Sequence, residues 1–175
     1  MEEKTILYRL FHHISTVSHH RKEVRKNCFK CGLYKQGLLH DLSKYSPSEF
    51  IPSVKYYQGY RSPYMKEKEL YGFSKGWLHH KGRNKHHWEY WYDLVDGIWQ
   101  AVEMPLPYFV EMVCDRVAAC KIYEGNKYTK ESALNYFLAR PEKQFMHPNT
   151  RAKLEKVLRN IATNGEDVVF NQLKE

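Results

Sequence analysis

The sequence predicts an all-α protein with a single domain. Apolar residues recur at the 3.6-residue spacing of amphipathic helices through most of the chain, whereas the alternation typical of strands is scarce. A chain of 175 residues can bury one core but is short for two, and no internal repeat or low-complexity tract divides it. We therefore predict one helical domain over residues 1–175, with the chemistry-bearing motifs between about 10 and 125 and packing helices between about 128 and 175.

Helix start and stop signals place the individual helices. Ser46 has the pattern of an N-cap, with Pro47 at the first helical position and Glu49 completing a capping box. Residues 82–84 (GRN) predict a break between two helices, and residues 104–107 (MPLP) predict a helix end. The predicted order is a helix from 3 to the mid-twenties, a short helix within 33–44, a helix beginning at 46, a loop at 59–66, helices at 69–80, 86–102 and 108–123, and three helices near 130–139, 149–163 and 166–173.

Charge and composition restrict the partners. The formal net charge of +8 favours anionic partners such as phosphoesters, nucleotides or nucleic acid. No run approaches the ~20 consecutive apolar residues of a membrane span, and the N-terminal stretch lacks the pattern of a secretory signal. We expect a cytoplasmic protein that does not enter the membrane and that binds an anionic small molecule, most simply a phosphorylated one. The oligomeric state stays open.

His40-Asp41 in GLLHDLSKYS is the first candidate functional pair. The two residues end an apolar segment, where burying an imidazole and a carboxylate is costly unless they are paired or bound to a cation. A divalent metal would satisfy both, and a helix-end histidine beside an exposed aspartate is the alternative. Lys44 follows Asp41 by three residues, so its ammonium group could reach an anion bound at the metal.

Adjacent histidines occur at four places, and a helical wheel distinguishes the members of each pair. At about 100° per residue, the second histidine lies nearer the apolar side of its helix. This predicts that His20, His80 and His87 face inward as candidate metal ligands. His79 and His86 are then predicted to support the ligands, contact substrate or lie at the surface.

Asp115 is the other informative carboxylate. It lies in FVEMVCDRVAACKIY, a helix that is apolar on nearly all sides and therefore buried, so an ionised aspartate there needs a partner. A salt bridge with an arginine, or a helix cap, is the alternative to metal ligation.

These candidates form a mixed imidazole and carboxylate set. Such a set suits a divalent transition metal such as iron, manganese, zinc or cobalt better than magnesium or calcium. It is large enough for two ions bridged by an aspartate and a water, although one ion remains open. The predicted ligands are His20, His40, Asp41, His80, His87 and Asp115.

The order of these residues resembles the HD-domain superfamily. The match rests on a histidine, then His-Asp, then two more histidines and a late aspartate, while HDLSK resembles the HDxxK variant. HDLSKYSPSEF together with LHHKGRNKHHWEYW resembles a bacterial and phage branch of that superfamily. The resemblance covers roughly residues 10–125 and implies a helical bundle with a buried metal site.

The resemblance also implies roles for matching positions. The basic HD ligand set corresponds to His20, His40, Asp41 and Asp115. His80 and His87 correspond to the extra histidines of two-metal members, although here they lie only seven residues apart. Lys44 corresponds to the substrate-side lysine of the HDxxK type.

The leading hypothesis is a metal-dependent phosphohydrolase. Asp41 would hold the metal that activates water, and Lys44 would offset charge on the phosphoryl oxygens. Candidate phosphate anchors on the loop between the histidine pairs are Arg83 and either Lys81 or Lys85, and candidates for stacking a base are Trp88 and Trp91.

Two other function classes remain open. A di-iron oxygenase of the inositol oxygenase type uses the same kinds of ligand, including the lysine. A non-enzymatic nucleic-acid-binding module would use the basic and aromatic stretch 75–92 as its contact surface.

The motif Cys28-Phe29-Lys30-Cys31 allows a half zinc site or a redox pair. The remaining cysteines, Cys114 and Cys120, lie far along the chain on a predicted buried helix, so no second half of a zinc site is evident. We predict ordinary reduced cysteines.

Overall fold

Helices account for most of the chain, as the periodicity predicts. The structure is a computed structural model in which residues 5–174 are described. Within this range the α-helices, numbered in chain order, are α1 (Ile6–Lys30), α2 (Tyr34–Leu39), α3 (Pro47–Lys55), α4 (Pro63–Tyr71), α5 (Lys75–Arg83), α6 (Leu106–Glu124), α7 (Ser132–Ala139), α8 (Pro148–Asn164) and α9 (Glu166–Gln172). Short 3₁₀ turns lie at Leu42–Tyr45, Trp88–Tyr90, Gly125–Lys127 and Pro141–Phe145.

Two strands, β1 (Tyr92–Val95) and β2 (Ile98–Ala101), replace the helix predicted over 86–102. They pair antiparallel, with Val95 opposite Ile98. The turn between them is Asp96-Gly97, and both residues have positive φ, 51° and 76°. A tight hairpin turn needs this conformation at both central positions, and Asp-Gly adopts it readily. The prediction was wrong because this Asp-Gly turn signal outweighs the spacing of the aromatic residues.

The α3 N-terminus differs from the predicted capping box. The helix begins at Pro47 as expected, but the Ser46 side chain makes no cap hydrogen bond. Glu49 is completely buried and bonds to histidines of α5 instead. A carboxylate that can pair with buried imidazoles gains more than one that caps an exposed helix end, because the paired groups are removed from water.

The region between α3 and α5 also departs from the prediction. Helix α4 begins at Pro63, inside the predicted loop 59–66, and the helix predicted at 69–80 is divided. Gly72 ends α4 in the left-handed conformation, with φ 78°. Ser74 then caps α5 by accepting a hydrogen bond from the Trp77 backbone N–H.

The core surrounds α6, which packs along α1 and against α7 and α8. Val113, Cys114 and Val117 on α6 are fully buried, as are Leu154 and Leu158 on α8. Helices α7, α8 and α9 also contribute buried residues to this core. In the described part of the chain, no helix is both long and apolar enough to cross a bilayer.

Gly76 on α5 allows the close approach of α4. A Cβ atom at this position would lie 2.8 Å from Cε1 of Tyr64, whereas one at Gly82 of the same helix would meet nothing within 4 Å. We predict that Gly76→Ala lowers the free energy of unfolding by about 1–3 kcal/mol, because the Tyr64 ring must move. Gly82→Ala, its control, should leave it unchanged or raise it by up to about 1 kcal/mol. Urea denaturation measures both, and equal stability of the two variants would contradict the packing described.

Candidate metal centre

Asp41 lies where the chain turns sharply between α2 and the following 3₁₀ turn. Its backbone is in the left-handed region, with φ 54°, in which aspartate is among the few non-glycine residues found regularly. The helix predicted through 33–44 is therefore interrupted at His40-Asp41. Backbone conformations of this kind concentrate at functional sites.

The Asp41 carboxylate is the centre of a buried cluster, and its two oxygens face different histidines. Oδ2 lies 3.3 Å from Nε2 of His40 and 3.7 Å from Nε2 of His20. Oδ1 lies 3.4 Å from Nε2 of His80 and 3.4 Å from Nε2 of His86. The carboxylate thus lies between two sets of imidazole nitrogens.

Asp115 completes the first of these sets. Its Oδ1 lies 3.0 Å from Nε2 of His20 and 3.4 Å from Nε2 of His40. In each set the potential ligand atoms lie within 4.8 Å of one another, close enough to surround an ion. The first set is His20, His40, Asp41 and Asp115, and the second is Asp41, His80, His86 and His87.

The cluster contains polar atoms whose hydrogen-bonding capacity is unused. Within residues 5–174, nine buried side-chain nitrogen or oxygen atoms have no hydrogen-bond partner, and five of them belong to this cluster. A buried polar atom without a partner costs about 1–3 kcal/mol, so five in one place indicate a missing partner. A divalent ion at each set would satisfy them, and imidazole with carboxylate is a suitable donor set for a transition metal. The five atoms are His20 Nε2, His40 Nε2, Asp41 Oδ1, His86 Nε2 and His87 Nε2.

Glu111 orients two of the imidazoles through the ring nitrogens that face away from Asp41. Its Oε1 lies 2.9 Å from Nδ1 of His40 and 3.1 Å from Nδ1 of His86. Because the ionised carboxylate can only accept, each Nδ1–H donates to it, and the Nε2 atoms are left facing Asp41. Carboxylates commonly support metal-binding histidines in this way.

Glu49 performs the same function for α5. Its Oε2 accepts from Nδ1 of His80 at 2.7 Å and from the Tyr64 hydroxyl at 3.1 Å, and its Oε1 accepts from Nδ1 of His79 at 2.7 Å. His79 therefore supports the cluster through Glu49, which is one of the roles predicted for it.

Sequence reasoning missed both glutamates. Glu111 precedes Asp115 by four residues on α6, so it lies on the same helix face, and that spacing could have identified it. Glu49 also satisfied the pattern of a capping box, which concealed its role.

The electrostatics of the histidines keep most of them neutral. Burial lowers the pKa of His20, His80 and His87, and the positive charge of Lys44 lowers that of His20 further. His40 is the exception: burial alone would lower its pKa, but the carboxylates of Asp41 and its neighbours raise it well above the usual value. Three neutral imidazoles are therefore available to a metal, while His40 must first release a proton.

The two aspartates remain ionised. Burial opposes the charge of Asp41, but His40 and Lys44 hold its pKa well below the usual range. Burial likewise opposes the charge of Asp115, but the nearby imidazoles of His20 and His40 hold its pKa well below the usual range. The Lys44 ammonium group lies 2.6 Å from Asp41 Oδ2, and although burial opposes its charge, that carboxylate raises its pKa.

On helices, the structure places the second histidine of each adjacent pair inward. His20 is buried while His19 is exposed, and His80 faces Asp41 while His79 does not. The assignment of His87 alone, with His86 outside the ligand set, is corrected: both belong to the second set, and His86 is 2% exposed. His86 lies in a turn that follows α5, and His87 has extended backbone just before a 3₁₀ turn, so a helical wheel does not describe their directions.

Two adjoining cavities open onto the cluster, with volumes of about 370 and 230 Å³. His87 and Asp115 line both, and Lys44 lines the smaller one. The cationic residues of the larger wall are Arg61, Lys68, Arg116, Arg140 and Lys143, and its aromatic residues include Trp77, Trp88 and Tyr136.

The structure does not bring the other predicted substrate contacts to these cavities. Among the described residues, neither Arg83 nor Lys85 lines either cavity, and both are exposed. The Lys85 ammonium group lies over the rings of Tyr90 and Tyr108.

The fold and cluster define a predominantly helical protein with a buried histidine and carboxylate centre that could hold one or two metal ions. The chain belongs to the family described as "Family of unknown function (DUF5662)", whose sequence model matches residues 9–160 and so includes every residue of the cluster. No curated protein and no solved structure matches it.

Glu111 is predicted to control metal affinity without contacting the metal. In Glu111→Gln the side chain keeps its size but loses the charge that polarises His40 and His86. We expect divalent metal affinity to fall roughly 10- to 100-fold, the usual effect of removing such a support. Isothermal titration calorimetry with zinc or manganese measures it. Glu155→Gln, at a partly exposed position of α8 where the carboxylate pairs with Arg159, is the control, and equal affinities in the two variants would refute this role.

Metal binding is predicted to release protons and to strengthen with pH. His40 holds a proton because its pKa is raised, and a metal must displace that proton before it can bind Nε2. Affinity should therefore fall as the pH is lowered from 8 to 6. Calorimetry in buffers with different ionisation enthalpies counts the protons, and metal binding with no proton release would contradict the protonated state assigned to His40.

Proposed function

We propose that the protein is a metal-dependent phosphohydrolase whose one or two divalent transition-metal ions bind around Asp41. The observation that carries the proposal is the position of the Asp41 carboxylate, with one oxygen facing His20 and His40 and the other facing His80 and His86. A carboxylate shared in this way suits a pair of ions that together hold the oxygens of a phosphoryl group.

Ions bound here would lower the pKa of a coordinated water and so supply hydroxide near neutral pH. The protein itself contributes a fixed positive charge at Lys44, 2.6 Å from Asp41 and within the smaller cavity. Negative charge spreads over the phosphoryl oxygens during transfer, so an ammonium group held at that position stabilises it. Its burial strengthens the effect because water screens the charge less.

The two adjoining cavities, together called the cleft, favour an anionic substrate larger than phosphate alone. Its larger part has the volume of a small-molecule site and an aromatic wall that includes Trp77 and Trp88. Arg116 follows Asp115 on α6 and lines this part, and its buried Nε has no hydrogen-bond partner. A phosphoester with an organic group that reaches Arg116 fits these features, and a nucleotide is one such compound.

A nucleic-acid-binding function has less support. The stretch 75–92 was its predicted contact surface, but three of its histidines, His80, His86 and His87, face the cluster. The aromatic Trp91 is half-buried and packs on Tyr108.

The first test of the proposal is metal content. We expect His20→Ala to lose most of its bound metal, because Nε2 of His20 belongs to the set around Asp41 and Asp115. His19→Ala is a matched control: His19 is exposed and bonds to Ser15 of its own helix. Elemental analysis of purified variants with verified helical content measures the difference. Equal metal content in both would exclude His20 as a ligand.

The second test is phosphate release from a panel of phosphomonoesters and nucleotides. We expect Lys44→Met to lower kcat by roughly 10²- to 10³-fold while keeping its metal, because the charge that stabilises the phosphoryl oxygens is lost. Lys85→Met, outside the cleft, should retain activity.

Two outcomes of this second test would count against the proposal. Metal-loaded wild-type protein that releases no phosphate from any compound would remove its basis. Two equivalents of iron that react with oxygen would favour the oxygenase alternative instead.

A further inference from the structure

The structure brings a third cysteine to the CxxC motif. Cys31 Sγ lies 3.7 Å from Cys114 Sγ, although 83 residues separate them, and both side chains are buried. Cys28 is close enough for its thiol to interact with that of Cys114. The motif therefore has a thiol partner on α6 that its position in the sequence did not reveal.

We propose that Cys31 and Cys114 form an oxidation site, at which hydrogen peroxide converts the two thiols into a disulfide that joins the end of α1 to the middle of α6. The proposal does not depend on the proposed hydrolase activity or on a bound metal.

A disulfide requires one of the two backbone segments to shift. Cys31 is the C-cap residue of α1 and precedes Gly32, which has φ 75°. A helix end followed by glycine can shift more easily than the middle of α6, where Cys114 is fixed by the hydrogen bond from Asn27 Nδ2 to its carbonyl oxygen. Closing from 3.7 Å to a bonded distance of about 2.05 Å therefore requires movement mainly at Cys31.

Cys31 is the better nucleophile of the pair. The hydrogen bond from the Cys114 thiol lowers the pKa of Cys31; burial opposes this effect and the positive charge of Lys30 adds to it. Thiolate attacks peroxide, and hydrogen peroxide is small enough to reach a side chain with only 4% exposure.

The reaction balances with one peroxide. The Cys31 thiolate attacks one peroxide oxygen, the O–O bond breaks, and Cys31 sulfenic acid and hydroxide form. The Cys114 sulfur then attacks the sulfenic sulfur, the S–O bond breaks, and the leaving hydroxide takes the Cys114 proton to form water. The first hydroxide becomes water with the proton that Cys31 gave up. In total, two thiols lose two electrons and one peroxide becomes two waters.

The cross-link would fix the segment that carries most of the cluster. His40, Asp41, His80 and His86 all lie between the two cysteines in the chain. A disulfide that closes a loop of this length restricts the unfolded chain strongly, so the oxidised protein should resist unfolding. We expect its Tm to rise by roughly 5–10 °C.

The test is a thiol count before and after peroxide. Reduced protein is treated with hydrogen peroxide and then unfolded in denaturant that contains iodoacetamide, which alkylates the remaining thiols. Mass spectrometry counts the alkylated thiols, and Tm is measured on samples that were not unfolded. Wild-type protein and Cys120→Ser should each lose two alkylatable thiols, yield a Cys31–Cys114 linked peptide and gain Tm. Peroxide should leave all the thiols of Cys31→Ser alkylatable and should not raise the Tm of this variant. Cys31→Ala provides an apolar replacement if the serine variant unfolds.

Several results would overturn the proposal. All four wild-type thiols could remain alkylatable, the linked peptide could join Cys28 to Cys31, or the cross-link could join two chains. Loss of two thiols in Cys31→Ser would also contradict it. None of these measurements involves metal or substrate, so their outcome is separate from that of the proposed phosphohydrolase.

Discussion

The structure depends on a buried ionised carboxylate, that of Asp41. A charge removed from water is strongly unfavourable unless surrounding groups compensate for it. Here the Lys44 ammonium group and the protonated His40 provide that compensation. Imidazoles of α1, α5 and the segment before β1 surround the same carboxylate. The contacts of α1 with α6 and of α3 with α5 hold these elements at the required distances. Much of the architecture can be understood as a scaffold that brings nitrogen atoms to one carboxylate.

Two further carboxylates determine which ring nitrogen of each histidine faces Asp41. Glu111 and Glu49 bind the Nδ1 atoms of His40, His80 and His86, so the Nε2 atoms of these rings face inward. Together with Asp41 and Asp115, these two glutamates make four buried or nearly buried acidic groups. Among the described residues, Lys44 is the one lysine in contact with Asp41. Anionic surroundings of this kind favour divalent cations, which would also satisfy the five polar atoms that have no partner. The same charge balance explains why Lys44 remains protonated despite its burial.

Much of the fold was predictable because its helices are long and regular in sequence. Helices α1, α3, α6 and the three C-terminal helices lie close to the predicted positions. His20 and Asp115 could be identified because each lies well inside a helix, where a wheel gives the direction of a side chain. His40-Asp41 could be identified because adjacent polar residues that end an apolar segment are informative without exact geometry.

The rest required the tertiary structure. His86 and His87 lie outside helices, between α5 and the hairpin, so helical periodicity gave only one of the two. Glu49 had a satisfactory local explanation as a capping residue, and only the packing of α3 against α5 reveals its contact with His80. Arg83 and Lys85 lie close to the histidines in sequence but outside the cleft, whereas Arg116 and Arg140 reach it from elements that were assigned only to packing or to Asp115. Cys114 likewise meets Cys31 only after α1 and α6 have packed together.

We propose that the two oxygens of Asp41 face metal ions. Anomalous diffraction from crystals of the manganese-loaded protein tests it most directly. We expect two anomalous peaks about 3.5–4 Å apart, one beside each oxygen of Asp41 and each within bonding distance of the histidines of its own set. Crystals of fully loaded protein with no anomalous peak beside Asp41 would contradict it.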